Sequence, residues 1–358
     1  VLTVRRVTEY SSTRGLKLFV AILCALPGVL CGRAAPPEHM AGLVEGAHWT
    51  MGSELRVTAW TADETRAKSA FAAVFAEFER LDNLMSVWRE GSEILRLNAA
   101  AGEHPVPVGP DVRQVLRVAR QVSEWTGGKF DVTFGALSGL WKFDHDQDNV
   151  IPNRDQVLQR LPLIDYRALE LDEEAGTAFL RKKGMRAHLG GIGKGYAVAR
   201  AADILRRSGL RDFMIQSGGD LYVSGRRGDR PWRVGIRDPR GPADRSFAAL
   251  DLTDGTFSTS GDYERYFVQD GRRYHHILDP ASGEPATLCR SVTIVAEDAT
   301  MADALSTGVF VLGPEAGMAL IERLPNVEGV IVSAANEVSI SSGLRQGLIL
   351  LTPPTNAP

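Results

Sequence analysis

Four short segments bring together residue types that can do chemistry. In His188-Leu189-Gly190-Gly191-Ile192-Gly193-Lys194-Gly195-Tyr196, glycines let the backbone approach a ligand and a cation follows them. A helix starting there would point free N–H groups outward, so the segment reads as an anion site or as a plain helix-entry turn. A Walker loop would need Gly where His188 stands and Ser or Thr where Gly195 stands. A dinucleotide fingerprint would need Gly at Tyr196. Both nucleotide motifs therefore fail.

Asp303 and Thr307 are four residues apart, which on a helix places them on one face. Carboxylate and hydroxyl are hard oxygen donors of the kind Mg²⁺ takes when it also holds phosphate oxygens. A solvated Asp beside a Thr bonded to its own helix is the plainer alternative. In Tyr274-His275-His276-Ile277-Leu278-Asp279-Pro280, a histidine just ahead of a proline-bearing turn is placed to act as a base. Adjacent strand residues point to opposite faces, which argues against both histidines holding one zinc ion. Gly127-Gly128-Lys129-Phe130-Asp131-Val132-Thr133 gathers a cation, an aromatic ring and a carboxylate behind a helix. There, and at Met85-Ser86-Val87-Trp88, core packing is the plain reading.

The elements that must position these groups are legible in outline. Phe71, Val74, Phe75, Phe78, Leu81 and Met85 recur at helical spacing and predict a helix over 62–85. A second helix over 111–125 is ended by Gly127-Gly128, and a third over 195–208 follows the glycine-rich turn. Helices are also predicted over 300–312 and 314–324. Trp49 to Thr58 reads as one strand with an early glycine, Gly52. Strands follow over 213–216, 221–224, 232–236, 248–252, 257–260, 263–269 and 327–332, with turns at Gly225–Asp229 and Asp270-Gly271. Residues 144–155 read as a polar loop, and 351–358 as a disordered tail. Helices and strands mix without strict alternation, so the fold class is mixed α/β, of the α+β kind.

With 358 residues, 44% hydrophobic and 24% charged, the chain has enough apolar sequence for a large core. Its net charge of −3 gives bulk electrostatics no pull toward nucleic acid. Three cysteines exclude a disulfide framework. Arg5, Arg6, Arg14 and Lys17, then a nearly apolar run over 16–32, then Ala34-Ala35-Pro36-Pro37, follow the order of a secretory signal. Residues 1–40 are thus expected to be an export signal or a membrane anchor. Leu30 is bulky for a lipoprotein site at Cys31.

Taken in order, these segments resemble the ApbE family, the FAD:protein FMN transferases. The resemblance is carried by Met51-Gly52, Leu81-Asp82-Asn83-Leu84-Met85-Ser86, Ser92-Glu93-Ile94, Gly128 through Thr133, and Gly190 through Val198. It continues with Gly218-Gly219-Asp220, Ser258 through Tyr263, Tyr274 through Pro280, and Ala302-Asp303 through Thr307. It covers roughly 49–347 and implies one catalytic domain over 41–350, with mixed sheets flanked by helices and FAD in a cleft between subdomains.

The resemblance further implies an exported, Mg²⁺-dependent enzyme on the periplasmic side of the inner membrane, soluble after cleavage or anchored. It would move FMN from FAD to a Thr or Ser of an acceptor protein, a subunit of a membrane redox complex, and release AMP. By motif position, Asp303, Thr307 and the Gly191 carbonyl would hold Mg²⁺ and Lys194 would meet the diphosphate. Met51, Trp88, Lys129, Phe130, Asp131, His188 and Ile277 would line the FAD site, and His276 would activate the hydroxyl. The family usually has Asp where His188 stands and an acidic residue at Ala199. FAD hydrolysis to FMN and AMP, or a non-catalytic, membrane-tethered FAD-binding protein, are the alternatives.

Overall fold

A computed structural model describes residues 40–357. The export or anchor segment expected over 1–40 lies outside the described residues apart from Met40. Among the described residues no helix is long and apolar enough to cross a membrane.

An eight-stranded sheet organises the chain. Its strands are β1 (Gly42–Thr50), β2 (Ser53–Thr61), β3 (Phe213–Ser217), β4 (Asp220–Ser224), β5 (Asp254–Gly261), β6 (Cys289–Ala296), β7 (Glu328–Ser333) and β8 (Val338–Ile340). They lie side by side in chain order, and every neighbouring pair is antiparallel. The mixed α+β character therefore lies in the helices inserted between strands.

One expectation needs correction. Trp49–Thr58 is not a single strand but the end of β1, a two-residue turn and the start of β2. Met51 and Gly52 both have positive φ, at 48° and 70°, the backbone a tight hairpin turn with matching twist requires. Methionine is an unusual occupant there, so no Asn-Gly signal announced the turn.

Four helices position the site: α1 (Glu64–Met85), α2 (Pro110–Trp125), α3 (Gly193–Arg207) and α4 (Ala299–Leu312). Asp63 caps α1 by accepting the Arg66 N–H at 2.9 Å. The stripe Phe71, Val74, Phe78, Leu81 and Met85 is buried as its spacing predicts. Strand alternation divides the apolar residues between the two sheet faces. Tyr222 and Ile331 face the helices, while Leu221, Val223, Val330 and Val332 face the other way. That second face is covered by a three-stranded sheet over 232–237, 246–252 and 349–350, which adds Trp232, Phe247 and Leu250.

A smaller aromatic cluster of Trp141, Phe143, Phe267 and Tyr274 packs separately. The Trp141 Nε1–H ties it down by donating to the Gly283 carbonyl at 2.8 Å. The described residues belong to one compact body, so the expected cleft is the seam between this cluster and the main core rather than a boundary between separate domains.

The tail differs from the disorder expected over 351–358. The Thr355 N–H and hydroxyl both donate to buried Asp238, the hydroxyl at 2.7 Å. The Asn336 amide donates to the Pro354 carbonyl at 3.0 Å. These polar partners are distant in sequence, so composition alone did not disclose them.

Candidate active site

A cavity of about 490 Å³ opens at the seam. Its wall carries Trp88, Lys129, Phe130, Asp131, His188, Gly191, Lys194, His276, Ile277, Asp303 and Thr307. Met51, alone among the sequence-derived site residues, lines an adjoining cavity instead, which shares Trp49, Trp88, His188 and Lys194 with the first.

Two glycines end α2 and aim the next residues at the cavity. Gly127 and Gly128 have φ of 61° and 84°, and the Gly128 N–H closes the helix onto the Ser123 carbonyl at 2.8 Å. Lys129 then reaches Asp279, with Nζ 2.9 Å from each carboxylate oxygen. Asp131 is buried and already engaged. It accepts from the Thr133 N–H and hydroxyl on one oxygen and from the Tyr166 N–H on the other. Burial still pushes its carboxyl above the ordinary value. Asp131 thus shapes the wall.

Next to this segment, with Phe130 against Gly191, α3 begins where the glycine-rich turn meets α4. The Gly195 N–H donates to Asp303 Oδ2 at 2.8 Å. Asp303 is only 4% exposed, and among the described residues its other oxygen accepts no hydrogen bond. Burial and the nearby Asp220 charge push its carboxyl up to about 7, against the pull of Lys194. Lys194 Nζ lies 3.6 Å from Asp220. Burial works against its charge, but Asp220 and Asp303 outweigh that and hold its pKa above the usual value. Thr307 Oγ1 is 3.1 Å from Ser260 Oγ, and a Cβ on Gly191 would sit 3.3 Å from that Thr307 oxygen.

Among the described residues no three His, Cys, Asp or Glu side chains gather to hold a metal. Asp303 and Thr307 offer a carboxylate and a hydroxyl, with the Gly191 backbone packed beside the Thr307 oxygen. That hard-oxygen set suits Mg²⁺, which keeps part of its shell for water and phosphate, so the residues present fit the ion.

The paired histidines separate, because a strand ends at His275 and the chain bends at His276. His275 is buried, with Nε2 2.8 Å from the Ala286 carbonyl. His276 faces the cavity, and its Nδ1 lies 3.4 Å from the Arg265 carbonyl. A carbonyl only accepts, so this contact puts the proton on Nδ1 and leaves Nε2 with its lone pair. Burial, with the cations Arg265 and Lys194, lowers the His276 pKa to about 3. His188, also kept neutral by burial, accepts the Gly190 N–H on Nδ1 at 3.0 Å.

Sequence reasoning gave no role to Asp220, which holds Lys194 and accepts the Ser258 hydroxyl at 2.6 Å, or to Asp279. Both stood inside recognisable motifs. The ion pair between Arg265 and Asp144 at the cavity mouth carried no sequence signal, since 121 residues separate the partners.

The ApbE family's sequence profile matches residues 51–331. This chain belongs to the ApbE family. A relative from Klebsiella pneumoniae, named FAD:protein FMN transferase, is 33% identical over 296 residues, covering 82% of this chain and 90% of that protein. A relative of the same name from Treponema pallidum is 32% identical, covering 91% of this chain and 93% of its own. Among solved structures, the ApbE protein of Thermotoga maritima superposes with a TM-score of 0.79 at 32% identity, covering 86% of this chain and 99% of that one. Flavin transferase ApbE from Vibrio cholerae gives 0.76 at 28% identity, with the same coverages. The α+β architecture described above is the ApbE fold.

Proposed function

We propose that this chain is a Mg²⁺-dependent FAD:protein FMN transferase, with His276 as its base. The relatives from Klebsiella pneumoniae and Treponema pallidum are named FAD:protein FMN transferase. The observation that supports it best is the placement of a neutral histidine, its Nε2 free, on the same cavity as Lys194, Asp303 and Thr307.

The acceptor's Thr or Ser oxygen attacks the phosphorus on the FMN side of the FAD diphosphate. The bond from that phosphorus to the bridging oxygen breaks, and AMP leaves with the bridging oxygen. His276 Nε2 takes the hydroxyl proton. A divalent cation on Asp303, Thr307 and the Gly191 carbonyl would neutralise charge on the diphosphate oxygens. Lys194 adds a fixed positive charge beside them, held in place by Asp220. Bound diphosphate opposes the cations that depress His276 and raises its basicity toward the working range.

The acceptor is read as a subunit of a membrane redox complex. The enzyme is placed on the periplasmic side of the inner membrane, supported by the basic, apolar, small-residue order of residues 1–40. Mass spectrometry of co-expressed candidate acceptors tests the reading. A gain of one FMN on a Thr or Ser is expected. Acceptors that remain unmodified with FAD and Mg²⁺ present would overturn it.

A further inference from the structure

We propose that the outer edge of β1 is the docking rail for the acceptor, which adds an extended segment to the sheet and so delivers its hydroxyl to the cavity. This rests on the transferase reading above.

β1 is an end strand of the eight-stranded sheet, and among the described residues nothing pairs with its outer edge. It is nine residues long, about 30 Å of strand. It contains no Pro or Lys and a single carboxylate, Glu45, and its register with β2 runs unbroken from Gly42↔Thr61 to Thr50↔Ser53. Long, regular edges of this kind are templates for strand addition, and proteins usually blunt them with bulges, charges or short length. β8 at the opposite edge has only three residues.

The turn fixes which groups are free. A two-residue turn is flanked by a hydrogen-bonded pair, here Thr50 and Ser53, and such pairs alternate along the ladder. Thr50, His48, Gly46, Val44 and Gly42 therefore bond to β2. Leu43, Glu45, Ala47 and Trp49 point their N–H and C=O outward, and none makes another backbone hydrogen bond among the described residues. The same four side chains are exposed.

The edge also leads to the right place. Trp49, 71% exposed, ends the row of free groups and lines both cavities. The turn residues just beyond Thr50, Met51 and Gly52, line the cavity walls as well. His276 is half-buried inside, so a hydroxyl must reach it on a thin stretch of chain rather than on a packed surface. A strand laid on β1 is such a stretch, held by backbone hydrogen bonds that tolerate differences in acceptor sequence.

The test uses the full chain and the acceptor domain that gains flavin in the transfer assay. Ala47→Pro and Glu45→Pro each remove one outward N–H and leave the β2 ladder intact. Each is expected to raise KM for the acceptor by about five-fold or more, with FAD binding and thermal stability unchanged. Amide exchange at Leu43, Glu45, Ala47 and Trp49 is expected to slow when the acceptor, with its modified residue replaced by Ala, is added. Unchanged KM in both variants would overturn the proposal while leaving the transferase reading intact. So would edge amides already protected in the free protein, because the chain's own N-terminal residues or a second copy would then hold the edge. If no acceptor gains flavin at all, the transferase reading fails first and the proposal fails with it.

Discussion

Gly195 and Asp303 meet at the crossing of α3 and α4, where the Gly195 N–H donates to the Asp303 carboxylate at 2.8 Å. A Cβ on Gly195 would lie 2.2 Å from the Ala299 carbonyl and 2.5 Å from Asp303 Cβ. Glycine is required here for close approach, not for an unusual φ. Gly195→Ala must push the helices apart, at a cost of about 1–3 kcal/mol or more. Thermal denaturation should show a lowered Tm, and flavin transfer should fall with it. A wild-type Tm would mean the crossing is looser than described.

Proton and cation compete at Asp303. With its carboxyl near 7 in the ligand-free protein, the group is mostly protonated at pH 6 and mostly ionised at pH 8. Binding a divalent cation must displace that proton, so affinity rises with pH through 7 and levels off above it. Between pH 8 and pH 6 the apparent Mg²⁺ affinity should fall about tenfold. Calorimetry in buffers of different ionisation enthalpy should show close to one proton released per ion at pH 6. A flat affinity over this range would contradict the assignment.

Burial contributes most to that midpoint, and Asp220 adds to it. Its charge helps hold the Asp303 carboxyl up and the Lys194 ammonium charged. Asp220→Asn should move the pH dependence of Mg²⁺ binding to lower pH. It should also weaken FAD binding, as Lys194 loses its anchor. The same titration on the variant checks both effects.

His276→Ala should lower kcat by about 10²–10⁴-fold if the imidazole is the base, with little change in FAD affinity. A second readout separates catalysis from folding. The folded protein keeps this histidine neutral down to about 3, whereas an unfolded chain protonates it near 6.5. The unfolded state therefore binds the extra proton in that window, and wild-type stability is lost as pH falls through it. The variant lacks this penalty, so its Tm relative to wild type should improve between pH 7.5 and pH 5.

Much of this was legible because it is local. The stripe Phe71 to Met85, the glycines ending α2 and the four-residue step from Asp303 to Thr307 are periodic signals within one element. The hairpin at Met51-Gly52 was misread because a methionine occupies a left-handed position usually given to Asn, Asp or Gly. The Lys129–Asp279 pair spans 150 residues, and Thr355 reaches Asp238 across 117. Spacing along the chain holds no record of such contacts. Asp131 shows the reverse case, since its motif was visible while its engagement with Thr133 and Tyr166 appeared only in three dimensions.

The most direct measurement follows AMP and covalent flavin together, with purified protein, FAD, Mg²⁺ and a candidate acceptor. Equal amounts of AMP and protein-bound FMN are expected, both appearing only when the acceptor is present and both lost in His276→Ala. AMP released at the same rate with and without acceptor, with no flavin on the protein, would contradict the transferase reading and make water the nucleophile at this site.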